Sequence, residues 1–258
     1  FLMKDIHLLE FRIIIPFFNA EKFIGKCIDS IKSQTFKKFT VHIFDDCSAD
    51  NSFEVAKRFI NDDERFFLKK NKKNYGALYN IVQGLNVRFK DDTKIVDILI
   101  DGDDYLFTND ALQIIYFTYL KTDCLITYGT FLNLGLQKIF GRKYPLKTIL
   151  DNSYRKDLWR ASHLRTFRHD LWLKIEDSDL RDNYGNYLLT AWDLAIMFPM
   201  LEMAGLRQEC ISDILYTYNN LNPLCDHVIN LKSQQYNEKI IRNKSPYKLC
   251  EFKKNFVR

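Results

Sequence analysis

Along the first half of the chain the apolar residues alternate between two rhythms. Short runs rich in β-branched and aromatic residues, at 11–15, 41–44, 65–68, 94–100 and 124–128, predict strands, and the run at 94–100 has the unbroken pattern of a strand covered on both faces. Between them apolar residues recur at helical spacing. Phe23, Ile24, Cys27, Ile28 and Ile31 form one such face, and Phe53, Ala56, Phe59 and Ile60 a second. A third helix is predicted over about 76–89, and a fourth carries Leu112, Ile115, Tyr116 and Tyr119. Strands alternating with helices of this length predict an α/β fold with a doubly wound, mainly parallel sheet. Pro16 is expected to end the first strand, and Asn19, Asp50 and Thr108 or Asn109 to cap helices.

Beyond about residue 128 the rhythm fades. Residues 131–156 lack a clear period and predict a long loop. The stretch 159–168, which contains His163 and Arg165, precedes an acidic segment at 176–182. A strongly apolar helix is then predicted from about Leu188, with Trp192 and Asp193 near its start. The chain therefore divides into a regular half, 1–128, and a less regular half, 129–258.

In open α/β sheets, ligands bind outside the carboxyl ends of the strands where strand order reverses. Three polar clusters, at 16–19, 45–50 and 101–104, follow such ends and are expected to line one crevice. The last of them places Asp101, Asp103 and Asp104 within four residues. Carboxylates this close repel one another unless a cation sits among them. An all-oxygen donor set points to Mg²⁺ or Mn²⁺, with open positions left for phosphate oxygens. The plain alternative is an acidic turn, where Asp and Gly serve backbone geometry. No G-x-G-x-x-G follows the first strand and no P-loop motif occurs, so neither a dinucleotide fold nor a P-loop enzyme is indicated.

Composition narrows the classes further. At 258 residues, 47% hydrophobic and 28% charged, the chain fits one large α/β domain or two small ones of the soluble globular class. No apolar run is long enough to span a bilayer, and the start, Phe1-Leu2-Met3-Lys4, has neither a signal-peptide pattern nor an initiator Met, as expected of an excised segment. A cytoplasmic setting follows as the expectation. The six cysteines are scattered with no C-x-x-C pair, which argues against zinc, thioredoxin-like and disulfide-framework readings. The net charge of +5 is modest and calls for no nucleic-acid partner. Its basic runs, 69–73 and 253–258, read as solvated loops that could also favour an anionic substrate or a peripheral membrane contact.

The segment 13–52 resembles family-2 glycosyltransferases of the GT-A fold. The matching residues include Pro16, Phe18, Asn19, Phe23, Ser30, Gln34, Thr35, Phe36, Phe39, Asp45, Asp46, Ser48, Asp50 and Ser52. Asn74, Gly76 and Asn80, then Asp101-Gly102-Asp103-Asp104 in the form of the family's D-x-D motif, follow in the right order. The resemblance implies a nucleotide-sugar-binding half over 1–128 and an acceptor-binding, catalytic-base half over 129–258. It implies a nucleoside-diphosphate sugar, preferably a UDP-sugar, in the crevice. Pro16 and Asn19 would belong to that pocket, Phe18 would lie beside the base, Asp46 would accept a hydrogen bond from it, and Asn74 to Gly76 would close the pocket. Asp101 or Asp103 would reach the ribose, and Asp103 or Asp104 would ligate Mn²⁺ or Mg²⁺.

Asp193 resembles the family's catalytic base for inverting transfer, although Trp192 stands where an acid is frequent; complementing a helix N-terminus is its structural alternative. Trp192 is expected to stack on a sugar or join the core. His163 and Arg165 resemble an acceptor-side pair that would neutralise diphosphate, His163 serving alternatively as a third metal ligand, and His227 loosely resembles a late histidine of the family. The absence of Q-x-x-R-W favours single additions of a hexose or N-acetylhexosamine to a glycan, lipid-linked or protein hydroxyl. A nucleotidyltransferase and a catalytically inactive sugar-nucleotide-binding module are the competing readings.

Overall fold

The computed structural model describes residues 9–88, 94–223 and 230–251. Its N-terminal half is built as the periodicity predicts: β1 (Glu10–Phe17), α1 (Ile24–Lys32), β2 (Phe39–Asp45), α2 (Ser52–Ile60), β3 (Phe66–Lys70), α3 (Ala77–Leu85) and β4 (Ile95–Leu99). The third helix, expected to run to about residue 89, ends at Leu85 with Asn86 as its C-cap; Phe89 itself lies outside the described residues. Then come β5 (Tyr105–Leu106), α4 (Ala111–Thr122), β6 (Ile126–Asn133), β7 (Lys138–Phe140), α5 (Leu146–Leu150), β8 (Arg165–Arg168), α6 (His169–Trp172), α7 (Trp192–Ala204), β9 (Gln208–Tyr218) and α8 (Leu231–Asn243).

Among the described residues the strands form one sheet in the order β3-β2-β1-β4-β8-β6-β9-β5, with β7 paired to β6. Its first four strands are parallel; β8 then runs antiparallel between β4 and β6, and β9 runs parallel to β6. Successive residues of the central strands feed opposite cores. Ile13, Ile15 and Ile98 pack with α1 and α4 on one face, whereas Ile14 and Leu99 pack with α3 and α7 on the other. Burial on both sides explains why these strands read as unbroken apolar runs.

Because β1 lies between β2 and β4, the strand order reverses there, and the crevice opens at that point. A buried ion pair joins the two strands across it. Arg12 of β1 stands opposite Asp97 of β4 and donates from Nε to Oδ1 at 2.6 Å, while His169 Nδ1 lies 2.8 Å from Asp97 Oδ2.

Four local expectations are corrected. Pro16 lies inside β1, where the β4 ladder has already ended, and its carbonyl accepts the Gly102 N–H. Asn19 caps no helix: it adopts a left-handed φ of 47°, and α1 begins at Ile24. Its N–H donates to Ser48 Oγ and its Oδ1 accepts from Ala49 N, so it ties the loop after β1 to the loop after β2. The fourth helix starts at Ala111 after Asp110 rather than after Thr108 or Asn109, whose carbonyls instead accept from Gln34 and Thr35. The predicted loop at 131–156 is largely ordered. It holds the end of β6, all of β7, α5 and a 3₁₀ turn at Tyr154–Lys156. The end of β6 is held by distant pairing with β9 and β7 pairs back onto β6, while register shifts beside Gly129 and Thr130 hide any period of two.

Asp97→Ala leaves the buried Arg12 guanidinium without its carboxylate, a change that typically costs about 3–5 kcal/mol. Urea unfolding of that variant should show such a loss; an unchanged midpoint would mean the pair does not hold β1 to β4.

Candidate active site

A cleft of about 670 Å³ opens at the carboxyl ends of β1, β2 and β4. The N-terminal half lines it with Pro16, Phe18, Asp46, Asn74, Gly76, Asp101 and Asp103, and the C-terminal half with Phe131, His163, Arg165, Trp192, Asp193 and Tyr218. The three polar clusters anticipated at strand ends thus meet in one place. Close backbone contact makes this possible: a Cβ at Gly102 would fall 2.4 Å from Phe17 Cβ and 3.1 Å from the Pro16 carbonyl, so only glycine lets the acidic turn lie against β1.

Asp46 is buried at the end of β2 and gathers the facing loop. Its Oδ1 accepts from Asn71 Nδ2 at 2.8 Å and Tyr75 N at 3.0 Å, and its Oδ2 accepts from Gly76 N at 2.7 Å. Gly76 has a φ of 88°, a conformation glycine adopts without strain. The carboxylate therefore shapes the pocket wall formed by 74–76.

Asp101, Asp104 and His163 each offer one ligand atom, all within 4.8 Å of one another. Asp104 is buried; its Oδ1 accepts from Asn219 N at 2.7 Å, while Oδ2 lacks a well-aligned donor although the Tyr216 hydroxyl lies beside the carboxyl. Burial first, and then repulsion from Asp103 and Asp101, raises Asp104 well above the usual carboxylate range. His163 is sandwiched against Tyr216, with ring centres 4.6 Å apart, and meets the edge of Phe131 at 5.3 Å. Burial and the Arg165 charge depress its pKa well below the ordinary value, keeping the imidazole neutral, and its buried Nδ1 has no hydrogen-bond partner. A neutral imidazole and a carboxylate oxygen short of a donor, beside further negative charge, are a donor set that fits a divalent cation. Asp103 is turned aside: its Oδ2 accepts from Asn222 Nδ2 at 2.7 Å.

Arg165 links this group to Asp193. Its Nη2 lies 3.4 Å from His163 Nε2 and 3.5 Å from Asp193 Oδ2, and its guanidinium carbon sits 5.2 Å from the Trp192 ring centre. Asp193 occupies the first turn of α7. Burial raises its pKa, and Arg165 partly opposes that rise. The result is a carboxylate suited to accept a proton, facing the cleft.

Asn19 does not line the cleft, Asp104 lies buried beside it, and His227 falls outside the described residues. Tyr216 and Asn222 escaped attention as site residues, because the pairing of β9 with β5 and β6 is what brings them to the acidic turn. The only hint in the sequence was the polar Asn219-Asn220 step.

The raised pKa of Asp104 means that, above the ordinary carboxylate range, the unfolded chain ionises this carboxyl while the folded chain keeps it protonated, so folded-state stability falls as pH climbs toward the raised value. In EDTA at neutral pH, Asp104→Asn should therefore unfold at a higher temperature than the parent. Mn²⁺ should raise the parent's unfolding temperature and leave the variant's unchanged in a thermal melt. An equal rise in both would remove Asp104 from the cation site.

Comparison with known proteins places the family and the fold. The family model described as Glycosyl transferase family 2 matches residues 12–173. GlyA, a glycosyltransferase of Streptococcus pneumoniae, is 25% identical over 162 residues, which are 60% of this chain and 22% of GlyA, so the match spans well under two thirds of that relative. The structure of Staphylococcus aureus TarS 1–349 in complex with UDP-GlcNAc is similar with a TM-score of 0.60 and 20% identity, covering 82% of this chain and 59% of that one. The mannosyltransferase PcManGT of Pyrobaculum calidifontis, in complex with GDP-Man and Mn²⁺, gives 0.61 and 15%, covering 94% and 67%. These two likenesses establish the GT-A fold. With the family match extending over more than half its length, the chain belongs to glycosyltransferase family 2.

Proposed function

We propose that the chain transfers a single hexose or N-acetylhexosamine from a UDP-sugar to an acceptor hydroxyl with inversion. The observation that carries this reading is the pairing, across one cleft, of a repelling carboxylate group beside a neutral imidazole with a raised-pKa carboxylate on the opposite wall. The UDP-GlcNAc complex of TarS and the GDP-Man and Mn²⁺ complex of PcManGT support a nucleotide sugar with a divalent cation.

In this reading Phe18 packs against the base, and Asp46 adds a base N–H to the loop amides it already holds. The ribose hydroxyls meet Asp103 or Asp101. Asp101, Asp104 and His163 hold the cation; an imidazole nitrogen among oxygen donors favours Mn²⁺ over Mg²⁺. When bound, that cation stabilises the charge gained by the departing diphosphate.

Asp193 takes the acceptor's hydroxyl proton as the acceptor oxygen bonds to the anomeric carbon. The bond from that carbon to the diphosphate oxygen breaks on the opposite face, and UDP leaves with the electron pair. Arg165, touching both His163 and Asp193, keeps the base ionised and places positive charge near the diphosphate. Trp192, packed under Arg165, offers an indole to the sugar. The acceptor is a glycan, a lipid-linked glycan or a protein side chain.

Asp193→Asn should lower UDP-sugar turnover by about 10²–10⁴-fold while leaving UDP affinity within about twofold. Full activity in that variant would refute the assigned base. Because Asp193 must be ionised and burial raises its pKa, kcat/KM should fall on the acid side at a higher pH than an exposed Asp would set. Arg165 lowers that pKa, so Arg165→Gln should move the acid limb further up; a limb that stays put would separate Arg165 from the base.

A further inference from the structure

The hairpin of β6 and β7 borders the cleft with Phe131, Asn133 and Phe140, and β7 lies off the sheet's strand path, paired to β6. Residues 135–143 are exposed without interruption. Leu136, Ile139, Phe140 and the neighbouring Leu221 are each between 40% and 63% exposed, far more apolar surface than an ordinary turn presents. Leu221 joins the hairpin at its tip. Gly135 N donates to Asn220 Oδ1 at 2.7 Å, and a Cβ on Gly135 would lie 2.9 Å from Leu221, so Leu221 sits against the hairpin tip.

Charge accompanies the apolar residues. No Asp or Glu occurs between Asp123 and Asp151, whereas Lys138, Arg142, Lys143 and Lys147 do. On the paired strand β9, Glu209 stands opposite Thr127 and Asp213 in the bulge beside Thr130, both short of the tip that follows Asn133. Lys143 shares the surroundings of Cys210 with Glu209, whereas Lys138 and Arg142 flank Ile139 and Phe140 in sequence, both exposed.

The hairpin is also apolar on both faces. Phe140 stands opposite Phe131 toward the cleft, and Ile139 opposite Leu132 on the reverse. A protein partner laid against the hairpin would cover one face only. A bilayer interface takes in both faces of a tip, while lysine and arginine stems reach back to the headgroups. We infer that this hairpin, with Leu221, is a docking wedge for the surface of an anionic phospholipid bilayer. The wedge stands independently of the donor-site reading; that it would set the cleft mouth beside a lipid-borne acceptor rests on that reading.

Flotation of the full chain with vesicles tests this directly. Phosphatidylcholine vesicles containing about a third phosphatidylglycerol should carry the protein, pure phosphatidylcholine vesicles should not, and high salt should release it. Leu136→Ser with Ile139→Ser, and separately Lys138→Gln with Arg142→Gln, should each lower partitioning by about tenfold or more. Both double variants alter exposed side chains, so their thermal unfolding should match the parent and exclude misfolding as the cause. No flotation on anionic vesicles, or undiminished flotation of both variants, overturns the wedge. Retention of a soluble polyol-phosphate polymer by the hairpin without any vesicle binding overturns it as well, and would identify a groove for an anionic acceptor strand instead.

Discussion

Negative charge concentrated at the end of a buried strand is the constraint around which this molecule is arranged. Asp104 is almost fully enclosed, with Asp101 and Asp103 beside it, and ionising it there is opposed by both burial and repulsion. The surrounding groups relieve that cost in part. Asn219 donates its amide to Asp104, Asn222 holds Asp103, and the Tyr216 hydroxyl accepts from the Asp101 amide. What they leave unmet is one oxygen short of a donor beside a neutral histidine. That unmet polarity is the donor set on which the proposed cation site rests.

The fold delivers the acidic turn to that position by a sequence of close fits. The Arg12–Asp97 pair fixes β4 against β1, and Gly102 lets the chain beyond β4 touch the end of β1. β8 then pairs with β4 on its other side, which places Arg165 next to the turn's far wall. From the opposite side α7 brings Asp193, and its own position is held by the bidentate pair of Arg155 with Glu202, both buried. Arg165 thus lies between His163 on one side and Asp193 on the other. A single guanidinium influences the imidazole on one side and the carboxylate on the other.

Much of this could be read before any coordinates, for a physical reason. β1 to β4 are buried on both faces and joined by amphipathic helices, so each leaves a local signature, and parallel topology then sends the clusters at 16–19, 45–50 and 101–104 to one edge. The sequence reading failed where pairing is long-range. The β6–β7 hairpin and β9 exist through register with one another, which no local window records, and so Tyr216 and Asn222 were missed. The different partners of Asp103 and Asp104 were equally hidden. They depend on the direction of each side chain in one tight turn, which spacing alone does not set. Asn19 was misjudged as a cap because its side chain serves a neighbouring loop thirty positions away in sequence, its Oδ1 accepting from the Ala49 N–H.

The most direct test of the account is a calorimetric titration with UDP in the presence of Mn²⁺, repeated after EDTA and with GDP in place of UDP. The account predicts UDP binding that needs the metal and is not reproduced by GDP. Binding of neither nucleotide under any condition would contradict it, and would return Asp101, Asp103 and Asp104 to the role of an acidic turn at the end of a strand.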